Sequence, residues 1–114
     1  MAINTRKIVN EQGTIDFEID FYDETNTAVI PTSIDWTLTD DQGIIINARH
    51  AVAVAVPAAT IHVTLGGSDT AVLSSTDSLV RLLYLRWVYN SSLGAGKEGH
   101  EEIKFLVKDL KHLA

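Results

Sequence analysis

From Ile15 to Tyr22 the chain alternates without a break: Ile15, Phe17, Ile19 and Phe21 fall on one side, Asp16, Glu18, Asp20 and Tyr22 on the other. A period of two is the pattern of a strand with one face in a core and the other in water. Asp23 to Thr27 supplies turn-forming residues and Pro31 interrupts any ladder, after which Ile34, Trp36 and Leu38 resume the period. Asp40-Asp41-Gln42-Gly43 predicts a tight hairpin, with the β-branched run Ile44-Ile45-Ile46 as its second arm. Residues 51–56, AVAVAV, predict a further strand with valines on one face and Ala51, Ala53 and Ala55 on the other. Alanine is a poor strand former, so the alanine face reads as a place where another backbone comes close, from a second layer or a neighbouring subunit. After Pro57, Ile61, Val63 and Leu65 alternate with Thr60, His62 and Thr64 up to Gly66-Gly67.

The segment from Ser68 to Ser78 predicts a single helical turn between sheets, capped by Ser68 or Asp69 ahead of Ala71-Val72-Leu73. Residues 79–89, LVRLLYLRWVY, form the most apolar strand, and both of its faces carry apolar residues. Leu83, Leu85 and Trp87 are assigned to the core. Leu82, Tyr84, Arg86 and Val88 make the opposite face, which is too apolar for free solvation and reads as a patch covered by a partner. A last strand buries Ile103, Phe105 and Val107 and exposes Glu102, Lys104 and Lys108.

About seven strands with almost no helical period predict an all-β fold: an immunoglobulin-like antiparallel β-sandwich, with a small β-barrel as the alternative. At 114 residues the chain reads as one domain over 13–114, preceded by an extended N-terminal arm over 1–12. The formal charge of -6, with nine scattered basic residues, argues against a nucleic-acid surface. No apolar run approaches the roughly 20 residues of a membrane-spanning helix, so no membrane partner is expected. Arg6 and Lys7 are followed by Asn10, Glu11 and Gln12 where a signal peptide needs its apolar segment, and export is not expected. With no cysteine there are no disulfides, thiolate zinc sites or cysteine nucleophiles.

One stretch has the look of a chemical motif: Gly94, Gly96 and Gly99 have the spacing G-x-G-x-x-G, with Lys97 inside it. A dinucleotide fingerprint must open a helix whose N-terminus meets the pyrophosphate, whereas these glycines run into the alternating segment HEEIKFLVK. Glu98 stands where a P-loop needs Ser or Thr and would repel a phosphate. The stretch therefore predicts a glycine-rich hairpin tip, with Gly94, Gly96 and Lys97 as candidates for a flexible contact arm. Asp16, Glu18 and Asp20 read as a solvated face rather than a glycosidase pair. Asp23, Glu24, Asp40 and Asp41 could meet around Ca²⁺, but turn chemistry explains them. His50, His62, His100 and His112 have no paired zinc spacing, and there is no G-x-S-x-G elbow. No metal, cofactor or catalytic residue is expected, and the chain reads as non-enzymatic.

Residues 17–47, FEIDFYDETNTAVIPTSIDWTLTDDQGIIIN, resemble the opening strands of small immunoglobulin-like modules in tailed-phage and prophage virion proteins. The shared features are an aromatic-rich strand, a short acidic turn, a Pro-led strand like I-D-W-T-L-T-D and a D-x-x-G hairpin. The resemblance implies a structural role on a capsid, neck, tail or fibre, in several copies in a symmetric assembly, with other virion proteins as partners. The head-tail joining, decoration and fibre-attachment positions all stay open. It supplies no catalytic residues, and it would place the protein in a virion assembled in the host cytoplasm. The alternative is a carbohydrate-binding sandwich, for which Trp36 or Trp87 would have to face solvent beside acidic loops. Both tryptophans lie in phase with core residues of their strands.

Overall fold

In the computed structural model, residues 2–72 and 79–108 are described, and they contain seven strands: β1 (Ala2–Asn10), β2 (Ile15–Asp20), β3 (Ser33–Asp40), β4 (Val52–Ala53), β5 (Thr60–Leu65), β6 (Val80–Ser91) and β7 (Gly94–Lys108). They form a five-stranded sheet in the order β1-β7-β6-β3-β4 and a two-stranded sheet, β2-β5. The two sheets make a sandwich, not a closed barrel. β3, β6 and β7 stand in the order of the C, F and G strands of an immunoglobulin domain, with β4 in the place of C′, and β2 and β5 correspond to B and E. All neighbouring strands run antiparallel except β1, which runs parallel to β7 with Ala2 opposite Glu102 and Asn10 opposite Lys108. The stretch expected as an N-terminal arm is thus the edge strand of the larger sheet.

The period-two patterns become burial directly. β2 buries Ile15, Phe17 and Ile19, β3 buries Ile34, Trp36 and Leu38, and β5 buries Ile61, Val63 and Leu65. Between the sheets, Phe17 meets Phe105 with ring centroids 5.3 Å apart, and Phe21 and Trp87 pack in a T-shape with centroids 5.0 Å apart. Leu38, Ile46, Leu65, Leu83 and Leu85 are wholly buried, each worth about 1.5–3 kcal/mol of transfer free energy. The phase of β6 is the expected one: Leu83 and Leu85 point inward, Tyr84 and Arg86 outward. Arg81 shares the inward phase and is fully buried. Its guanidinium donates from Nη1 to the Val80 carbonyl at 2.9 Å and from Nη2 to the Ala71 carbonyl at 3.1 Å.

Three local expectations need correction. The Asp40–Gly43 turn forms, with Gly43 at φ 80°, but the arm after it does not persist as a strand. Ile45 makes one bridge to Thr39, the Ile46 N–H donates to the Leu38 carbonyl at 2.9 Å, and only Ile46 enters the core. Asn47 and Ala48, at φ 51° and 56°, then turn the backbone away from extension. Residues 51–56 are strand only at Val52–Ala53, because Ala51 at φ 48° breaks the run and β3 offers only Asp35 and Trp36 as partners. The turn after β5 is a 3-10 helix at Gly67–Thr70, capped at Gly66. Asp69 is not its cap but lies inside it, with its carboxylate accepting from the Gly66 N–H at 3.3 Å. The rest of the expected helical turn, from Leu73, lies outside the described residues, as does His112.

Candidate interaction surface

On the outward face of the larger sheet, the residues out of phase with the core come into one field. β6 contributes Leu82, Tyr84 and Arg86; β3 contributes Asp35, Thr37 and Thr39; β7 contributes His100 and Glu102. The cross-strand register sets them side by side: Tyr84 stands opposite Thr37 and Glu102, and Arg86 opposite Asp35 and His100. The loop after β3 rises beside this floor, bringing Gly43, Ile45, His50 and Ala51 into the lining of a groove of about 570 Å³. Four of the polar groups of the floor pair with each other. Tyr84 Oη and His100 Nδ1 share a hydrogen bond of 2.6 Å, and Arg86 Nη2 donates to Asp35 Oδ2 at 3.1 Å. What remains open is an apolar strip: the Tyr84 ring, 39% exposed, Ile45, 37% exposed, and half-buried Leu82.

The wall of the groove is held from beneath by one carboxylate. Asp69 Oδ1 accepts from Asn47 Nδ2 and from Arg49 Nε, each at 2.8 Å, and Asp69 is almost wholly buried. Burial pushes its carboxyl up, but the hydrogen bonds from Arg49, Asn47 and Gly66 outweigh it and hold the carboxyl below its ordinary value. The same Arg49 guanidinium lies 5.9 Å over the Trp36 ring. The hydrogen bond and charge of Asp69 in turn raise the guanidinium of Arg49.

Of the other residues singled out in the sequence, one lies in the groove and the rest in three further places. Val88 is half-buried on the outward face of β6, beyond the groove and opposite Ser33 and Glu98. Ala51 lines the groove, whereas Ala53 and Ala55 are exposed along the edge beyond β3. Gly94, Gly96 and Lys97 belong to the start of β7, next to a tight β6–β7 turn at Ser92-Leu93, where Ser91 pairs with Gly94. The glycines therefore lie in a strand rather than in a cradle. Leu93 at the tip is 65% exposed, and the Gly96 N–H donates to Asn90 Oδ1 at 2.9 Å. Gly99 has a packing reason of its own: the Trp87 ring lies across it.

The acidic turn after β2 braces this hairpin. Glu24 accepts from Tyr89 Oη at 2.9 Å and from Ser91 Oγ at 2.5 Å, and the Ser91 bond is the main reason its carboxyl is held below the ordinary value. Asp23 accepts from the Thr25 hydroxyl and N–H and from the Thr27 N–H, while Asp40 accepts from the N–H groups of Gln42 and Ile44. Each aspartate caps its own turn. Among the described residues no three His, Asp or Glu side chains are arranged to hold a metal, and no helix is long and apolar enough to cross a membrane. Trp36 is 9% exposed and Trp87 is half-buried against the core. Sequence reading found β6's share of the groove but missed Asp35, Thr37, His100 and Glu102. The signal for β3's share was its own phase, since every residue between Ile34, Trp36 and Leu38 must face outward.

Comparison of the chain with protein-family models, with curated proteins and with solved structures found no match.

Proposed function

We propose that the chain is a non-enzymatic structural module that packs through the outward face of its larger sheet onto other proteins of a bacteriophage virion, in a neck, decoration or fibre-attachment position. The observation that carries the packing role is the groove of about 570 Å³ floored by Leu82 and Tyr84, in which Arg86 is already paired with Asp35 and Tyr84 with His100. An open apolar strip beside these paired groups is suited to receiving one or two apolar side chains of a partner, the way interface anchors fill pockets. The virion setting rests on the sequence resemblance over residues 17–47. A glycan reading draws less support, because Trp36 and Trp87, the rings a sugar would stack on, are engaged with the core.

The test is incorporation. In particles purified from the source culture, the wild-type chain is expected at a stoichiometric, symmetric copy number by quantitative mass spectrometry. Tyr84→Glu, which places an unpaired charge on the apolar strip while leaving the inward phase of β6 intact, is expected to reduce incorporation at least tenfold with an unchanged circular dichroism spectrum. Absence of the wild-type chain from particles, or equal incorporation of the folded variant, would overturn the reading.

A further inference from the structure

The smaller sheet has an edge that pairs with nothing among the described residues, and its geometry is self-complementary. The Phe21 N–H donates to the Ala59 carbonyl at 2.9 Å, which fixes the parity of the β2–β5 ladder. The hydrogen-bonded pairs are those of the core residues: Ile19 with Ile61, Phe17 with Val63, Ile15 with Leu65. The backbone N–H and C=O groups of Thr60, His62 and Thr64 therefore point the other way, out of the open side of β5. β5 is the last strand on that side of its sheet, and no backbone group of the described residues bonds to those three.

An open edge of six residues is usually blunted by charge, proline or a bulge. β2 carries Asp16, Glu18 and Asp20. β5 has no such device, and its only titratable side chain leans away from the edge toward β2: His62 Nδ1 meets Asp16 Oδ2 at 2.6 Å, and its Nε2 lies 3.9 Å from Glu18 Oε2. Thr60 and Thr64 likewise donate across the sheet to Asp20 and Asp16, at 2.6 and 2.7 Å. All three outward-face side chains thus lean toward β2 and leave the edge clear.

The sequence of that edge, Thr60-Ile61-His62-Val63-Thr64, reads nearly the same in both directions. We propose that β5 pairs antiparallel with β5 of a second copy about a two-fold axis at His62, joining the two small sheets into one of four strands. In that register Thr60 faces Thr64 of the second copy, Ile61 faces Val63, and His62 faces itself. Each of Thr60, His62 and Thr64 then forms a hydrogen-bonded pair, giving about six backbone hydrogen bonds. On the inner side Ile61 and Val63 are already buried within each copy, so the contact is carried by the backbone bonds and, on the outer side, by threonine against threonine. Such an isologous contact closes on itself as a dimer. It uses a surface separate from the groove, so it stands or falls independently of the role proposed for Tyr84.

The absence of native cysteine permits a register test. Across the axis the Cα atoms of residue 62 would lie about 5.5 Å apart, within the range of a disulfide, whereas those of residue 64 would be separated by more than about 13 Å. Under mild oxidation His62→Cys is expected to give a crosslinked dimer at least tenfold faster than Thr64→Cys. In sedimentation equilibrium at the highest soluble concentration, the wild type is expected to show dimer, and Thr64→Pro to weaken it at least tenfold. That proline removes an edge-facing N–H and leaves the inner β2–β5 ladder intact, which unchanged circular dichroism would verify. A monomeric wild type, equal crosslinking at residues 62 and 64, or an undiminished dimer in folded Thr64→Pro would overturn the proposal. Because Tyr84→Glu leaves this edge untouched, loss of virion incorporation and loss of the dimer are separable outcomes.

Discussion

Gly99 carries no chemistry, yet it fixes how the far end of the sandwich packs. It stands opposite Trp87 in the β6–β7 ladder, and a Cβ at that position would lie 2.2 Å from the indole ring. The same ring packs against buried Phe21, with centroids 5.0 Å apart, which limits its retreat. Gly99→Ala is therefore expected to destabilise the protein by about 1–3 kcal/mol, the usual cost of overpacking, as a lowered urea midpoint at constant slope. A double-mutant cycle with Trp87→Leu should recover most of that loss, because the three nearest atoms to the added Cβ all belong to this ring. If Gly99→Ala left the midpoint unchanged, the stacking of Trp87 on the glycine would be wrong. The motif spacing in the sequence thus had a cause at its third glycine, but the cause is steric. Reading it required knowing that residue 87 lies across the ladder, which spacing alone does not tell.

At the scale of elements, legibility followed the burial of one face. β2, β3 and β5 could be located from alternation because each has a continuous inward set and a polar outward set. β6 could be phased even though both faces are apolar, because Arg86 and Tyr84 sit between Leu83, Leu85 and Trp87. Two segments misled, and for the same physical reason. Ile44–Ile46 and residues 51–56 have strand-like composition, but the backbone turns left-handed at Asn47, Ala48 and Ala51, and only Val52–Ala53 is left as strand. Two of those three residues are alanines, which give no sign of positive φ. Conversely, β1 shows no alternation and is a strand only because β7 offers it an edge. The expected seven strands and the seven observed agree by exchange, with β1 taking the place of the Ile44–Ile46 arm. The strain in the loop is itself testable. Ala48→Gly removes the side-chain penalty at φ 56°, set against glycine's greater unfolded freedom, and is expected to stabilise by about 0.5–1 kcal/mol in urea denaturation. A destabilisation would mean that residue 48 does not hold a left-handed conformation in solution.

At the scale of the molecule, the larger sheet outgrows its partner. β6 and β7 run 12 and 15 residues against six in β2 and β5, and the overall extents are 53 × 25 × 21 Å. So long a ribbon needs bracing outside the core, and the braces are carboxylates: Glu24 holds the hairpin, and Asp69 ties the groove wall to the turn after β5. Both are held below their ordinary values, so the sign of their linkage is fixed. Their contribution is fully present above the unfolded carboxylate pKa and is lost as pH falls through the folded one. His62 has the opposite sign: the Asp16 hydrogen bond raises its imidazole, so that contribution is present below about pH 6.5 and fades as pH rises through the folded value. Glu24 and His62 are solvent-screened ties, whereas Asp69 is almost wholly buried, so Asp69 should dominate the acid limb. Asp69→Asn is expected to cost about 2 kcal/mol at pH 7, from the loss of charge-assisted hydrogen bonds to Arg49. Its stability should then fall less steeply than that of the wild type between about pH 5 and pH 3, because one linked proton is missing. Urea midpoints of both proteins across that range decide the matter. Parallel acid limbs would mean that Asp69 does not carry the charge that clamps the groove wall, and the rigidity of the proposed docking surface would need another source.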